Sequence, residues 1–134
     1  MRIQVSTERV KGEFVRQVEE ISGQDLLACN QCGKCSAGCP VAFAMDLLPS
    51  QVIRFAQLGL EEALESQTIW LCASCLTCIS RCPKGVELPR VMEALRQIVL
   101  RQEGDRLQPS ELPTDLLART PQLAIISGFR KYAA

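Results

Sequence analysis

The chain has no histidine at all. That absence removes His-ligated zinc, a Rieske centre, a His-ligated haem and any catalysis that relies on an imidazole base. Aromatic residues are scarce, at 4%. Leu, Ile, Val and Ala are plentiful, and the 8 glycines and 7 prolines are few enough to punctuate the chain, a composition that favours helices over a β-sandwich. Net charge is also lacking, because 15 basic residues balance 15 acidic ones along the whole chain. No basic field therefore exists to draw in nucleic acid or an anionic membrane surface. Apolar runs stay far short of the roughly 18 to 20 residues a membrane span needs. The opening stretch MRIQVSTERVKGEF has no apolar h-region. We expect a cytoplasmic protein with no membrane span and no nucleic-acid partner, folded as one domain over residues 1–134.

What the chain has is cysteine, eight of them in two runs. The first reads Cys29-Asn-Gln-Cys32-Gly-Lys-Cys35-Ser-Ala-Gly-Cys39-Pro40 and the second Cys72-Ala-Ser-Cys75-Leu-Thr-Cys78-Ile-Ser-Arg-Cys82-Pro83. Both are C-x2-C-x2-C-x3-C-P, the spacing of 4Fe-4S ligation. Three thiolates spaced three residues apart on a tight loop can each reach a different iron of one cube. The fourth is turned away by the proline that follows it, and in two-cluster ferredoxins it ligates the other cluster. On that rule Cys29, Cys32, Cys35 and Cys82 hold one cluster and Cys72, Cys75, Cys78 and Cys39 the second. Such crossing makes folding depend on the clusters, so the apo chain is expected to be largely disordered. With all eight thiolates committed and no iron left open, independent catalysis is not expected.

Two other uses of the cysteines stand beside this one. Disulfides would need an oxidising compartment, and cysteines three residues apart are poorly placed for four separate bridges. A four-cysteine zinc site, in a zinc-stabilised interaction module, is the stronger rival, although zinc has no use for the third and fourth cysteine of each run or for the trailing proline. Lys34, Arg81 and Lys84 lie in or beside the runs and would favour a reduced, more negative cluster; they are also ordinary candidates for solvated surface. Gly33 and Gly38 would let the backbone approach the sulfurs. Trp70 could shield a cluster, though core packing is the simpler reading.

The runs repeat with an offset of 43 residues, and each leads into an amphipathic segment. After the first, a helix is predicted over residues 46–59, with Asp46 near its start, Pro49 in its first turn and Gly59 as its stop. After the second, Leu88, Val91, Met92, Leu95, Ile98 and Val99 form one helical stripe that Gly104 ends. Val10, Phe14, Val18 and Ile21 mark a helix before the first run, stopped by Gly23. Residues 60–66 suggest a further short helix. Residues 2–6 alternate like a strand, or are a frayed terminus. We place the core at about residues 8–105 and read 106–134, apolar and uncharged from 120 to 129, as a tail that docks on a partner or folds back on its own core.

These motifs, CNQCGKCSAGCP, LLPSQVIRFAQLG and WLCASCLTCISRCPKGVELPRVMEALR, resemble the small C-type iron-sulfur subunit of heterodisulfide reductase, a member of the α-helical ferredoxin group, over roughly residues 10–105. The resemblance implies an all-α fold, two 4Fe-4S clusters on the eight cysteines, and a role as an electron wire. Its partners would be a flavin-containing A-type subunit that supplies electrons and a cysteine-rich B-type subunit that reduces the disulfide. No substrate-reducing residue carries over. The double run also serves in the iron-sulfur subunits of succinate dehydrogenase, fumarate reductase and anaerobic glycerol-3-phosphate dehydrogenase and in glycolate oxidase, usually with a further domain that this sequence does not match. A freely diffusing ferredoxin is the remaining electron-transfer reading.

Overall fold

The apolar stripe that begins at Leu88 folds as the longest helix of the protein, Leu88–Glu103, with Leu88, Val91, Met92, Leu95, Ile98 and Val99 all buried. Gly104, at φ +81°, ends it in a left-handed conformation that costs glycine little. The computed structural model describes residues 5–10 and 12–133. Among these the secondary structure is entirely helical: α1 (Thr7–Val10), α2 (Glu13–Ser22), α3 (Lys34–Ala37), α4 (Pro49–Gln57), α5 (Thr68–Leu71), α6 (Thr77–Arg81), α7 (Leu88–Glu103), α8 (Thr114–Arg119) and α9 (Gln122–Tyr132). The all-α expectation holds. Of the strand-like stretch 2–6, residues 2–4 lie outside the described residues, and Val5 and Ser6 are not in a strand.

The chain falls into two compact units that divide within α7, one ending at Arg96 and the other beginning at Gln97. In the first unit α2 buries Phe14, Val15 and Val18 and stops at Gly23, whose N–H donates to the Glu19 carbonyl. Pro49 opens α4 at its first position, where its missing N–H costs nothing, and Gln51 Oε1 accepts from the Leu48 N–H at 2.8 Å. α4 packs on α2, on α3 and on the 3₁₀ turns Leu26–Ala28 and Glu61–Leu64. Fully buried Leu26, Leu60, Ile69, Val52, Val91, Met92 and Leu95 fill this core, each worth roughly 1.5–3 kcal/mol of transfer energy. One buried cation enters it: Arg96 donates to the Ile69 carbonyl at 2.6 Å and pairs with Glu93 on its own helix. The second unit contains the end of α7, the turn Pro109–Glu111, α8 and α9, and the Arg106 N–H donates to the Tyr132 carbonyl at 2.7 Å.

Local signals and structure differ in several places: Val10, read as part of the helix before the first run, ends the separate α1, and α2 begins only at Glu13. The short helix expected over residues 60–66 is a 3₁₀ helix at Glu61–Leu64. Asp46 does not begin the helix after the first run, which is capped at Leu48. Its carboxylate instead reaches the start of α5, where Ser66 Oγ, the Gln67 N–H, the Thr68 N–H and Thr68 Oγ1 all donate to it.

Candidate metal centre

The two cysteine runs fold into the same backbone path. Gln31 and Gly33 have φ of +58° and +77°, and the residues 43 positions on, Ser74 and Leu76, have φ of +52° and +64°. A short helix follows each time, α3 from Lys34 and α6 from Thr77, again 43 apart. Residues other than glycine at positive φ cost of order 1 kcal/mol apiece. Left-handed residues set beside right-handed ones are the backbone pattern from which anion-binding concavities around iron-sulfur centres are built. α3 packs directly against α6, so the repeat brings its two copies face to face.

Two hollows lie beside this contact. One, about 410 Å³ with its solvent-open part, is walled by Cys29, Cys32, Cys35, Cys78 and Cys82 together with Gln31, Lys34, Lys84, Val86 and Leu88. The other, about 380 Å³, is walled by Cys35, Cys39, Cys72, Cys75 and Cys78 and by Val41, Met45, Pro49, Leu88 and Met92. Every cysteine singled out in the sequence lines a hollow, and each hollow takes cysteines from both runs. Cys35 and Cys78 line both. Cys32 and Cys75 are exposed, and the other six are half-buried.

Among the described residues no three Cys, Asp or Glu side chains converge on one point closely enough to hold a single ion. A tetrahedral zinc site would draw its sulfurs to about 2.3 Å from one metal, whereas a cube keeps its four thiolates apart at separate corners. Cysteines spread around the walls of a cavity fit the cube.

The sulfurs are not electrostatically equal. Burial, reinforced by the neighbouring Cys72, pushes the Cys78 thiol up to about 11. Burial also raises Cys35, against hydrogen bonds from Ser36. Cys75, fully exposed, is lowered chiefly by the Thr77 hydroxyl at 3.4 Å and the Thr77 backbone N–H. Bringing thiolates into the shared inner wall is therefore costly until a cationic iron cluster binds them, which couples cluster binding to proton release. Backbone and amide donors are already in place: the Val86 N–H lies 3.3 Å from Cys82 Sγ and Gln31 Nε2 lies 3.6 Å from Cys29 Sγ.

Of the surrounding residues named from sequence, Lys34 and Lys84 line the first hollow from exposed positions. Arg81 lies across Gly38, where an added Cβ would sit 2.7 Å from its Cδ. Trp70 is buried, 6% exposed, and walls neither hollow, which is core packing. Sequence reasoning missed Gln31 and Gln57. Gln57 is buried at the end of α4 and hydrogen-bonds Gln31 and the Cys29 carbonyl. The repeat offset could have flagged Leu76, since it aligns Leu76 with Gly33; Ser74 aligns with Gln31 and carries no such signal.

Comparison with known proteins agrees with this geometry. Residues 25–86 match the 4Fe-4S dicluster domain family. The chain is 33% identical over 106 residues to the second C-type iron-sulfur subunit of CoB–CoM heterodisulfide reductase from Methanocaldococcus jannaschii, an alignment covering 73% of this chain and 57% of that protein. It is 35% identical over 92 residues to the C-type iron-sulfur subunit of the same enzyme from Methanopyrus kandleri, covering 67% and 48%. It is 32% identical over 90 residues to the C-type subunit of the ferredoxin:CoB-CoM heterodisulfide reductase of Methanosarcina mazei, covering 67% and 56%. The chain spans about half the length of the curated relatives it matches. Among the described residues no helix is long and apolar enough to cross a membrane. The chain is thus a two-cluster 4Fe-4S protein of the dicluster type, related to the C-type iron-sulfur subunits of heterodisulfide reductase.

Proposed function

We propose that this chain is the electron-relay subunit of a heterodisulfide-reductase-like complex. It takes electrons from a flavin-containing A-type subunit and delivers them to a cysteine-rich B-type subunit that reduces a disulfide. The relatives named above support the complex. The observation that carries the relay is the layout of the hollows: they share Cys35 and Cys78 on their inner wall, while each has one exposed cysteine, Cys32 in the first and Cys75 in the second. Clusters bound there supply one-electron storage at two adjacent points, one with an outward edge at each end. A wire needs that arrangement, and a substrate-reducing site does not.

Within this reading Cys29, Cys32, Cys35 and Cys82 hold the first cluster and Cys72, Cys75, Cys78 and Cys39 the second. Each set of four lines one hollow, which supports the crossed assignment. The chain's own part is to hold eight thiolates at fixed corners, to direct N–H donors at Cys29 and Cys82, and to keep the inner sulfurs half-buried. The second unit leaves Leu116, Leu123 and Ile126 exposed on α8 and α9, and this apolar surface is where a partner protein docks.

Anaerobic purification from the native source tests the proposal. The chain should co-elute with a flavoprotein and a cysteine-rich polypeptide, and dithionite-reduced material should show two 4Fe-4S signals. A lone monomer carrying both clusters, with no partner at any ionic strength, would make it a diffusing ferredoxin instead.

A further inference from the structure

Gln57 ends α4 with its side chain inside the protein, 4% exposed. Only one orientation of its amide satisfies the neighbours. The Leu26 carbonyl at 2.7 Å and the Cys29 carbonyl at 2.9 Å can only accept, so the NH2 end must face them and both of its hydrogens are used. Oε1 is thereby aimed the other way, where Gln31 Nε2 and Arg54 Nη1 donate to it, each at 3.3 Å. This acceptor selects the NH2 end of Gln31, whose second hydrogen is left for Cys29 Sγ at 3.6 Å. Gln31 sits at φ +58°, a conformation disfavoured for a residue with a Cβ.

We infer that Gln57 is a positioning residue that sets the polarity of the Gln31 amide, making it a hydrogen-bond donor to the Cys29 sulfur and so raising the reduction potential of the cluster that Cys29 holds. The inference rests on the reading of Cys29 as a cluster ligand. Reduction adds negative charge that spreads onto the thiolate sulfurs, and a donor on a sulfur stabilises that charge more than it stabilises the oxidised form. With the Gln31 amide reversed, a carbonyl oxygen would face the sulfur and oppose reduction. A buried polar side chain is kept at the end of α4 because an apolar one would take the donor from the Cys29 carbonyl, leave the Leu26 carbonyl with only the Cys29 N–H, and set the Gln31 amide free to turn.

Redox titration of the anaerobic holoprotein, followed by electron paramagnetic resonance and paired with iron and sulfide analysis, tests this on wild type, Gln31→Gly, Gln57→Leu and the double variant. Glycine relieves the positive φ at position 31, so Gln31→Gly should keep its full iron. It should lower one of the two midpoint potentials and leave the other in place. Gln57→Leu should lower the same one, and in the Gln31→Gly background it should add nothing. If Gln57→Leu loses iron, Gln57→Asn, which keeps an amide but draws it back from Gln31, takes its place in the same comparison. The inference fails if Gln31→Gly keeps both potentials, if it loses iron, or if Gln57→Leu acts as strongly without Gln31 as with it. A wild type with no reducible 4Fe-4S signal would overturn the cluster reading and this inference with it; two normal signals that neither variant moves would overturn this inference alone.

Discussion

Asp46 Oδ1 accepts from both the backbone N–H and the hydroxyl of Thr68, at 2.9 and 2.7 Å. The link that follows the first cysteine run is thereby fastened to the first turn of the helix that leads into the second. Ser66 Oγ at 2.8 Å and the Gln67 N–H at 3.0 Å complete the clasp. Cys72 directly follows α5, so the clasp fixes where the second run begins.

Replacing Asp46 by Ala should therefore cost about 1 kcal/mol, the ordinary worth of a helix cap whose carboxylate is open to water on one side. The second run should loosen before the first. Thermal unfolding of the holoprotein gives the energy, and hydrogen exchange at 72–82 against 29–39 gives the location; equal loosening of both runs would refute the clasp.

The same carboxylate makes a pH prediction. Burial works against its ionisation, but donors from Thr68, Ser66, Gln67 and Leu47 outweigh it and hold the carboxyl well below the usual carboxylate range. A group whose folded pKa is depressed binds its proton more readily when unfolded, so its stabilisation is fully present above the unfolded value of about 3.9 and is lost as pH falls below it. The difference in denaturation midpoint between wild type and Asp46→Asn should stay constant from neutral pH down to about 5 and shrink below about 4. A difference that grows on acidification has the wrong sign for this account.

Much of the frame was legible because its signals are local. The six positions of the 88–99 stripe are all buried, and Gly23, Pro49 and Gly59 stand where helices stop and start. The cysteine runs declared their cofactor through spacing alone. Asp46 misled because a carboxylate near the start of an amphipathic segment reads as part of that helix, while its true partner, Thr68, is far along the chain and leaves no periodic trace. Gln57 was hidden for a related reason: a glutamine at the end of an amphipathic helix looks solvated until the carbonyls of Leu26 and Cys29 are folded against it. Ser74 and Leu76 carry left-handed backbone without the glycine that usually marks it, because a bound cluster and α6 beyond it can hold a conformation that the residues themselves resist.

Two glycines should behave oppositely. At Gly59, φ is +67° and an added Cβ would lie 2.2 Å from the Arg9 carbonyl oxygen, a backbone atom that cannot step aside alone. Gly59→Ala should cost about 2–4 kcal/mol, from left-handed strain and overpacking together. At Gly38 the obstacle is the far end of the exposed Arg81 side chain, which can swing into water, so Gly38→Ala should cost less than about 1 kcal/mol. Chemical denaturation of both variants checks the ranking, and a reversed order would mean that Arg81 is held in place by something other than contact with Gly38.

Crossed ligation predicts which substitutions act alike. Cys39→Ser lies in the first run yet should disturb the same cluster as Cys75→Ser, and Cys82→Ser should disturb the same one as Cys32→Ser. Resonance spectra of the four single variants, each assigned to one of the two wild-type signals, decide this. Pairing by run, with Cys39 and Cys32 altering one signal, would mean that each hollow is closed by its own fourth cysteine despite the walls it shares.

Removing the iron should separate the parts of the first unit. The core around Leu26, Val52, Ile69 and Leu95 holds no buried cysteine, so some helix should survive chelation, against the largely disordered apo chain expected from the sequence. The loops 29–33 and 72–76, by contrast, keep left-handed Gln31, Ser74 and Leu76 against a cost of order 1 kcal/mol each. Their inner thiols also favour protonation once no iron is bound, Cys78 most of all. Chelation should strip hydrogen-exchange protection first from those loops and from α3 and α6, with circular dichroism falling by less than the full helical signal while α7 keeps its slow amides. Complete loss of helix on chelation would show instead that the apolar core cannot stand without the clusters, and that the cysteine runs carry the stability of the whole unit.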